Sequence, residues 1–152
     1  MSKKQREKRV SGVGRRTLTK AMLLPPPAES ARAVSLRNHL TLAACRGGAG
    51  NTELLGELFV VSSLSWFLRE AGYGDAPDSL YVEIQDALER CVILNATDMN
   101  WRIDELDAEV LCKLLACYDR QFVATPLHLI EGAKRQMRRS ASGDWLFPWT
   151  GR

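Results

Sequence analysis

The chain has 152 residues, of which 45% are hydrophobic and 26% are charged, and its formal net charge is +3. This length predicts one domain with a core of its own, and the composition is typical of a globular protein. No apolar run reaches the roughly 18 residues that a membrane span needs. The basic start is not followed by the uninterrupted apolar stretch of a secretory signal. These features argue against a membrane protein and a secretory signal, and they favour the cytoplasm.

Residues 1–27 predict a basic, disordered arm. Residues 1–20 contain eight Lys or Arg and one Glu, whereas the rest of the chain has 13 basic and 17 acidic side chains. Three prolines end the arm as a stiff spacer. Such an arm can neutralise the phosphates of duplex DNA without reading the bases; the alternatives are a solubilising arm, or one for acidic protein or lipid surfaces. The expected phosphate contacts are Lys3, Lys4, Arg6, Lys8, Arg9, Arg15, Arg16 and Lys20.

Residues 29–44 predict the first helix. Its apolar side chains recur on one side, which we expect to face the core, and they are Ala33, Leu36, Leu40 and Ala43. Three glycines follow within residues 47–50. They could cradle a phosphate, but the Lys-Ser/Thr pair of a P-loop is missing, so an interhelical turn is expected.

Asn51 or Thr52 caps a second helix that runs to about Gly72. This helix is apolar on most of its faces, which predicts either a central helix or one with a second face against another subunit. For the second possibility the expected partner contacts on this helix are Leu55, Phe59 and Trp66.

A third helix begins at Asp78 or Ser79 and ends before a connection over residues 95–102. Its carboxylates, Glu83, Asp86 and Glu89, fall on the polar side of the helix. We expect them to be solvated rather than to act in acid–base chemistry or metal binding.

Asp104 is a good N-cap for a fourth helix, because Glu105 and Asp107 then place negative charge in its first turn. Asp107 is assigned to the polar face. The expected apolar stripe consists of Leu106, Val110, Leu114 and Cys117. Thr125-Pro126 ends this helix and starts a fifth one. Because this junction is short, helices four and five are expected to be antiparallel neighbours.

Residues 140–152 form an aromatic end segment. It either packs on the bundle or serves as an exposed peptide for a partner, and packing is preferred because so much free apolar surface is unfavourable in water. Its candidate contacts are Trp145, Phe147 and Trp149.

The sequence offers little for catalysis or metal binding. The two histidines, His39 and His128, and the four cysteines form no metal-ligand spacing and no nucleophile–base motif. The cysteines are expected to be reduced, and we expect no enzyme activity, no cofactor and no metal.

One stretch carries a family resemblance. It contains Trp101 before Asp104-Glu105, a leucine-rich helix, Tyr118-Asp119-Arg120-Gln121, and Pro126 ahead of the last helix. With the basic start, this pattern resembles small uncharacterised proteins of proteobacterial mobile and conjugative elements, which often bear the label Fis-like transcriptional regulator. The resemblance implies a DNA-associated regulator. Two departures are the aromatic end segment and the lack of a glycine-type turn before a basic recognition helix.

Together these observations predict an all-α protein: a compact bundle of about five helices over residues 28–139, behind a disordered basic arm (1–27) and ahead of an aromatic segment (140–152). The leading hypothesis is a non-enzymatic DNA-associated accessory or regulatory protein, whose arm contacts phosphates and whose bundle forms a homodimer or binds a partner. The alternative is a helical protein-interaction adaptor without nucleic-acid binding.

Overall fold

The computed structural model describes residues 17–98, 101–140 and 147–150. Within these ranges it has five α-helices and no strand, so the all-α prediction is confirmed. The helices are α1 (Ala28–Arg46), α2 (Thr52–Glu70), α3 (Asp78–Asp98), α4 (Glu105–Ala124) and α5 (Leu127–Ser140), and a short 3-10 helix (Lys20–Leu23) precedes them. Residues 1–16, most of the expected arm, lie outside the described residues. The end of the arm is not disordered as expected, because it contains the 3-10 helix and Leu24 accepts a hydrogen bond from Leu127 of α5.

α2 is the central helix. It packs against α1, α3, α4 and α5, and every residue from 61 to 68 is buried. Eight consecutive buried residues include all sides of a helix, because 3.6 residues complete one turn. The central-helix alternative is therefore confirmed.

The helix starts follow the expected capping chemistry. The Asn51 side chain accepts a hydrogen bond from the Leu54 N–H at 2.9 Å, and Asp104 accepts one from the Asp107 N–H at 2.8 Å. Between α1 and α2 the glycines form a turn. A Cβ atom at Gly50 would overlap the carbonyl oxygen of Trp101, so a glycine is required where these two stretches of chain meet.

The predicted inward side of α1 is wrong. Its apolar residues point away from the core, with Leu36 62% and Leu40 59% exposed and Ala33 and Ala43 exposed as well. The side that packs against α2 and α4 instead buries Ala31, Asn38, Thr41, Leu42 and Cys45. Because two of these buried residues are polar, the hydrophobic pattern of α1 indicates the opposite side.

Two assignments in α4 are also wrong. Leu106, expected in the apolar stripe, is 74% exposed. Asp107, expected on the polar face, is 6% exposed. Asp107 is buried in an ion pair across the α3–α4 interface, in which Arg90 of α3 donates to both of its carboxylate oxygens. A buried carboxylate is tolerated when it is paired in this way.

α5 does not run beside α4 as expected; the helix packing of its described residues is against α2 and the 3-10 helix. The change of direction occurs at Thr125, which is buried and extended, with φ −91° and ψ 128°. Its hydroxyl donates to the carbonyl oxygen of Gln121 at 2.7 Å, and Pro126 follows. Ile130 and Ala133 are the buried positions of α5.

Candidate functional site

The point where the arm joins the bundle is fixed by hydrogen bonds to the start of α5. The Leu127 N–H donates to the carbonyl oxygen of Leu24 at 2.9 Å, and Nδ1 of His128 lies 2.8 Å from the carbonyl oxygen of Met22. A carbonyl oxygen can only accept a hydrogen bond, so Nδ1 carries a hydrogen in this contact. Residues 22–24 are thereby held against the start of α5.

α5 itself carries a basic surface. Four of its side chains are cationic and lie within two turns of the helix: Lys134, Arg135, Arg138 and Arg139. The three arginines are exposed, and Lys134 is partly buried. Nζ of Lys134 donates to Glu131 at 2.8 Å. This hydrogen bond is the main reason that the pKa of Glu131 is lowered. We call these four residues the α5 basic face.

The α5 basic face was not among the expected phosphate contacts. Of those eight residues, Lys20 is exposed on the 3-10 helix, and the other seven lie outside the described residues. The spacing of the four α5 residues, at i, i+1, i+4 and i+5, could have revealed a common helix side.

The expected partner contacts are mostly part of the chain's own core, which corrects their assignment to a surface. Four are buried and Phe59 is partly buried, whereas Trp145 lies outside the described residues. The four buried residues are Leu55, Trp66, Phe147 and Trp149.

The end of the chain packs on the bundle through an aromatic cluster, as the preferred alternative predicts. The ring of Phe147 lies 4.8 Å from Phe59 between centroids, and that of Trp149 lies 5.5 Å from Trp66 and 5.2 Å from Tyr81. Nε1 of Trp149 donates to Oε1 of Gln85 in α3 at 3.0 Å. These contacts join the end segment to α2 and α3.

A groove of about 770 Å³ lies over α2, with walls from α1, α4 and α5. Its lining is largely apolar, and Arg138 of the α5 basic face borders it. Two buried polar atoms in its wall, Nδ2 of Asn38 and Oγ of Ser63, have no hydrogen-bond partner among the described residues. This groove has no counterpart in the sequence analysis, because it depends on how four helices meet.

Three residues with the identities of a catalytic triad meet between α1 and α4, but their order is different. The Ser35 hydroxyl donates to Oδ2 of Asp119 at 2.9 Å, and Nε2 of His39 lies 3.0 Å from the same oxygen. In a triad the serine bonds to the histidine, and the histidine bonds to the aspartate. Here both bond to the aspartate, an arrangement that ties α1 to α4 without activating the serine.

A polar network in the core is almost fully occupied by hydrogen bonds. Nε2 of Gln121 donates to the carbonyl oxygens of Ser65 and Tyr73 at 3.0 and 2.8 Å. Its Oε1 accepts from the Ser65 hydroxyl at 2.7 Å, and Oγ of Ser65 also lies 3.0 Å from the Tyr81 hydroxyl. Burial raises the pKa of Tyr81. A network whose polar groups nearly all have hydrogen-bond partners specifies packing rather than reactivity.

The buried cysteines are also unsuited to catalysis. Cys45, Cys91 and Cys117 are buried, whereas Cys112 is exposed. Burial raises the pKa of all three buried thiols, that of Cys91 to about 11. A thiol in this state is a poor nucleophile. Within the described ranges, no group of three or more His, Cys, Asp or Glu side chains could hold a metal ion, and no helix is long and apolar enough to span a membrane.

Comparisons with protein-family models, with characterised proteins and with solved structures find no match for this chain. The candidate site therefore depends on its own geometry: an arm held at the start of α5, the α5 basic face, and the groove beside it.

Proposed function

We propose that this is a non-enzymatic, DNA-associated accessory or regulatory protein of the bacterial cytoplasm, as the resemblance to proteins of mobile elements implies. The observation that carries the proposal is the attachment of the arm to α5. The hydrogen bonds of Met22 and Leu24 to the start of α5 attach the chain that follows the basic residues to the same helix that carries the α5 basic face.

The charge of α3 and α5 supports an orientation in which α5 faces the DNA and α3 faces away from it. α3 exposes Glu83, Asp86 and Glu89, which would repel phosphates. α5 contains one acidic residue, Glu131, and that carboxylate is neutralised by Lys134. A polyanion is therefore attracted to the α5 side and repelled from α3, and this orients the bundle on a duplex.

Binding through phosphates should depend steeply on salt, because each neutralised phosphate releases a counterion. The test is a titration of a fluorescent duplex at about 50 and 200 mM salt, with the intact chain and with a chain that lacks residues 1–16. This deletion keeps residues 17–24 and their contacts to α5. We expect binding to weaken with salt for the intact chain, and the deletion to reduce both affinity and salt slope.

A pair of matched variants tests the contribution of α5. Arg135→Gln/Arg138→Gln removes two exposed charges from the α5 basic face, and Lys113→Gln/Arg120→Gln removes two exposed charges from α4. We expect the first variant to weaken binding and to reduce the salt slope by about two, and the second to bind as the wild type does. Equal losses in both variants would mean that only net charge matters.

A second candidate function is a helical adaptor without nucleic-acid binding. The exposed apolar side of α1 favours it, since Leu36 and Leu40 are each more than half exposed. The same titration separates the two candidates. If the intact chain does not bind duplex DNA even at low salt, the arm has another role and the adaptor is favoured.

A further inference from the structure

The outward side of α1 is an apolar stripe without a partner in the described chain. Leu36 and Leu40 are 62% and 59% exposed, and the flanking Ala33 and Ala43 are exposed too. Their spacing of three, four and three residues is the a/d spacing of helices that pack against another helix. Burying this stripe against an apolar surface would be favourable, because its side chains would leave water.

The stripe is the same in both directions. It reads Ala-Leu-Leu-Ala from either end, and its three–four–three spacing is also symmetric, with residue 38 at the midpoint. A surface of this kind is self-complementary, which is the property that a two-fold interface requires. A second α1 helix therefore fits it as well as any foreign helix does.

We propose that the stripe binds a second copy of this chain, with the two α1 helices antiparallel about a two-fold axis near residue 38. This register places Leu36 opposite Leu40 of the partner subunit, and Ala33 opposite Ala43 of the partner subunit. The alanines at both ends allow the helices to approach closely, and the leucines fill the centre.

Charge disfavours the parallel orientation. Glu29 is the only acidic residue of α1, and parallel pairing would place it opposite Glu29 of the partner subunit. Arg46, in the last turn of α1, is already paired with Glu105 of α4 within each chain. Arg37 and His39, near the centre of α1, also have partners within each chain, Glu57 and Asp119 respectively.

α4 widens the stripe on one side. Asp119 marks the edge of α4 that meets α1, because its carboxylate bonds to Ser35 and His39. Cys112, Ala116 and Val123 share that edge at helical spacing and are exposed. The combined face has seven such side chains, against the roughly 20–30 residues a side of a standard interface, so the dimer is expected to be weak.

The first test is sedimentation of the full chain, without DNA, from about 1 to about 300 µM, a range that covers weak association. The wild type should shift from monomer towards dimer. Leu36→Glu/Leu40→Glu should stay monomeric, because it brings four carboxylates together, and its far-UV spectrum should match the wild type. A wild type that is monomeric throughout this range overturns the proposal.

A matched control makes the same change on another helix. Val82 and Ile93 of α3 are 53% and 64% exposed, so Val82→Glu/Ile93→Glu adds the same charges elsewhere. This variant should dimerise as the wild type does. If it loses association to the same extent as the α1 variant, added charge explains the loss and the α1 stripe is not the interface.

Disulfide cross-linking tests the orientation. In a Cys112→Ser background, Ala33→Cys and Ala43→Cys are oxidised separately and as a mixture. Antiparallel pairing separates identical positions by about 15 Å along the axis, too far for a disulfide, so only the mixture should form a cross-linked dimer. Cross-linking of either variant alone overturns the antiparallel register, and no cross-link in a sample that still dimerises overturns the α1 interface.

Discussion

α1 and α2 are adjacent helices of 19 residues each, and they use their apolar side chains in opposite ways. α2 buries ten residues, and its neighbours cover all of its sides. α1 buries five, of which Asn38 and Thr41 are polar, and it exposes both Leu36 and Leu40. The side of α1 that a hydrophobic pattern selects is thus the side that its own chain leaves in water.

An apolar stripe therefore identifies a surface that favours burial, but not what covers it. In α2 the partners are all in the same chain. In α1 the inward side is held by polar contacts: the Thr41 hydroxyl donates to Glu57 at 2.9 Å, and Ser35 and His39 bond to Asp119. Such contacts do not appear in a hydrophobicity pattern.

The largest expected effect comes from matched leucine truncations in the two helices. Leu58 of α2 is fully buried and Leu40 of α1 is 59% exposed. Leu58→Ala should lower the free energy of unfolding by about 2–5 kcal/mol, because it leaves a cavity. Leu40→Ala should change it by less than about 0.5 kcal/mol. Urea denaturation, at a protein concentration low enough to keep the chain monomeric, measures both values.

The control for this comparison is concentration. If the α1 stripe binds a second copy, the effect of Leu40→Ala should grow as protein concentration rises, while that of Leu58→Ala should keep its size. A large loss for Leu40→Ala in dilute protein would mean that α1 packs within the chain in some other way.

The parts of the fold that depend on local chemistry were predictable. The side chains of Asn51 and Asp104 cap the helices that follow them, as expected, and the glycines of residues 47–50 form a turn. These features depend on residues within one helical turn of each other, so a single sequence contains the information.

The parts that depend on distant partners were not predictable. Asp107 is buried because Arg90, 17 residues earlier, reaches it, and α5 leaves α4 because Thr125 turns the chain towards α2. The α5 basic face was visible as composition, but the docking of Met22 and Leu24 at the start of the same helix required the structure. The groove above α2 had no signal in the sequence.

A smaller effect tests the polar inward side of α1. Nδ2 of Asn38 is buried and has no hydrogen-bond partner among the described residues, so Asn38→Leu should raise the free energy of unfolding by about 1 kcal/mol. Thr41 is the contrast, since its hydroxyl lies 3.0 Å from the Arg37 carbonyl oxygen and 2.9 Å from Glu57. Thr41→Val should lower the free energy by about 1 kcal/mol. Urea denaturation of the two variants should give opposite signs, and equal signs would mean that Asn38 is satisfied.

The smallest effect concerns the pH dependence of the link between α1 and α2. The hydrogen bond from Arg37 is the largest cause that lowers the pKa of Glu57 below the ordinary value of 4.5, and that from Thr41 adds to it, whereas burial opposes both. Because the folded-state pKa is lowered, this carboxylate stabilises the fold above pH 4.5 and stops doing so as the pH falls through the folded-state value.

Glu57→Gln removes this titration, so the difference in stability between the wild type and the variant measures the contribution of the charge. The wild type should be more stable than the variant at neutral pH, and the difference should shrink as the pH falls towards about 3. The difference should also be small, because Arg37 is 70% exposed and solvent screens the pair. Denaturation curves of both proteins across this range decide the point: a gap that stays constant with pH would show that Glu57 connects the helices through its shape and neutral hydrogen bonds, and not through its charge.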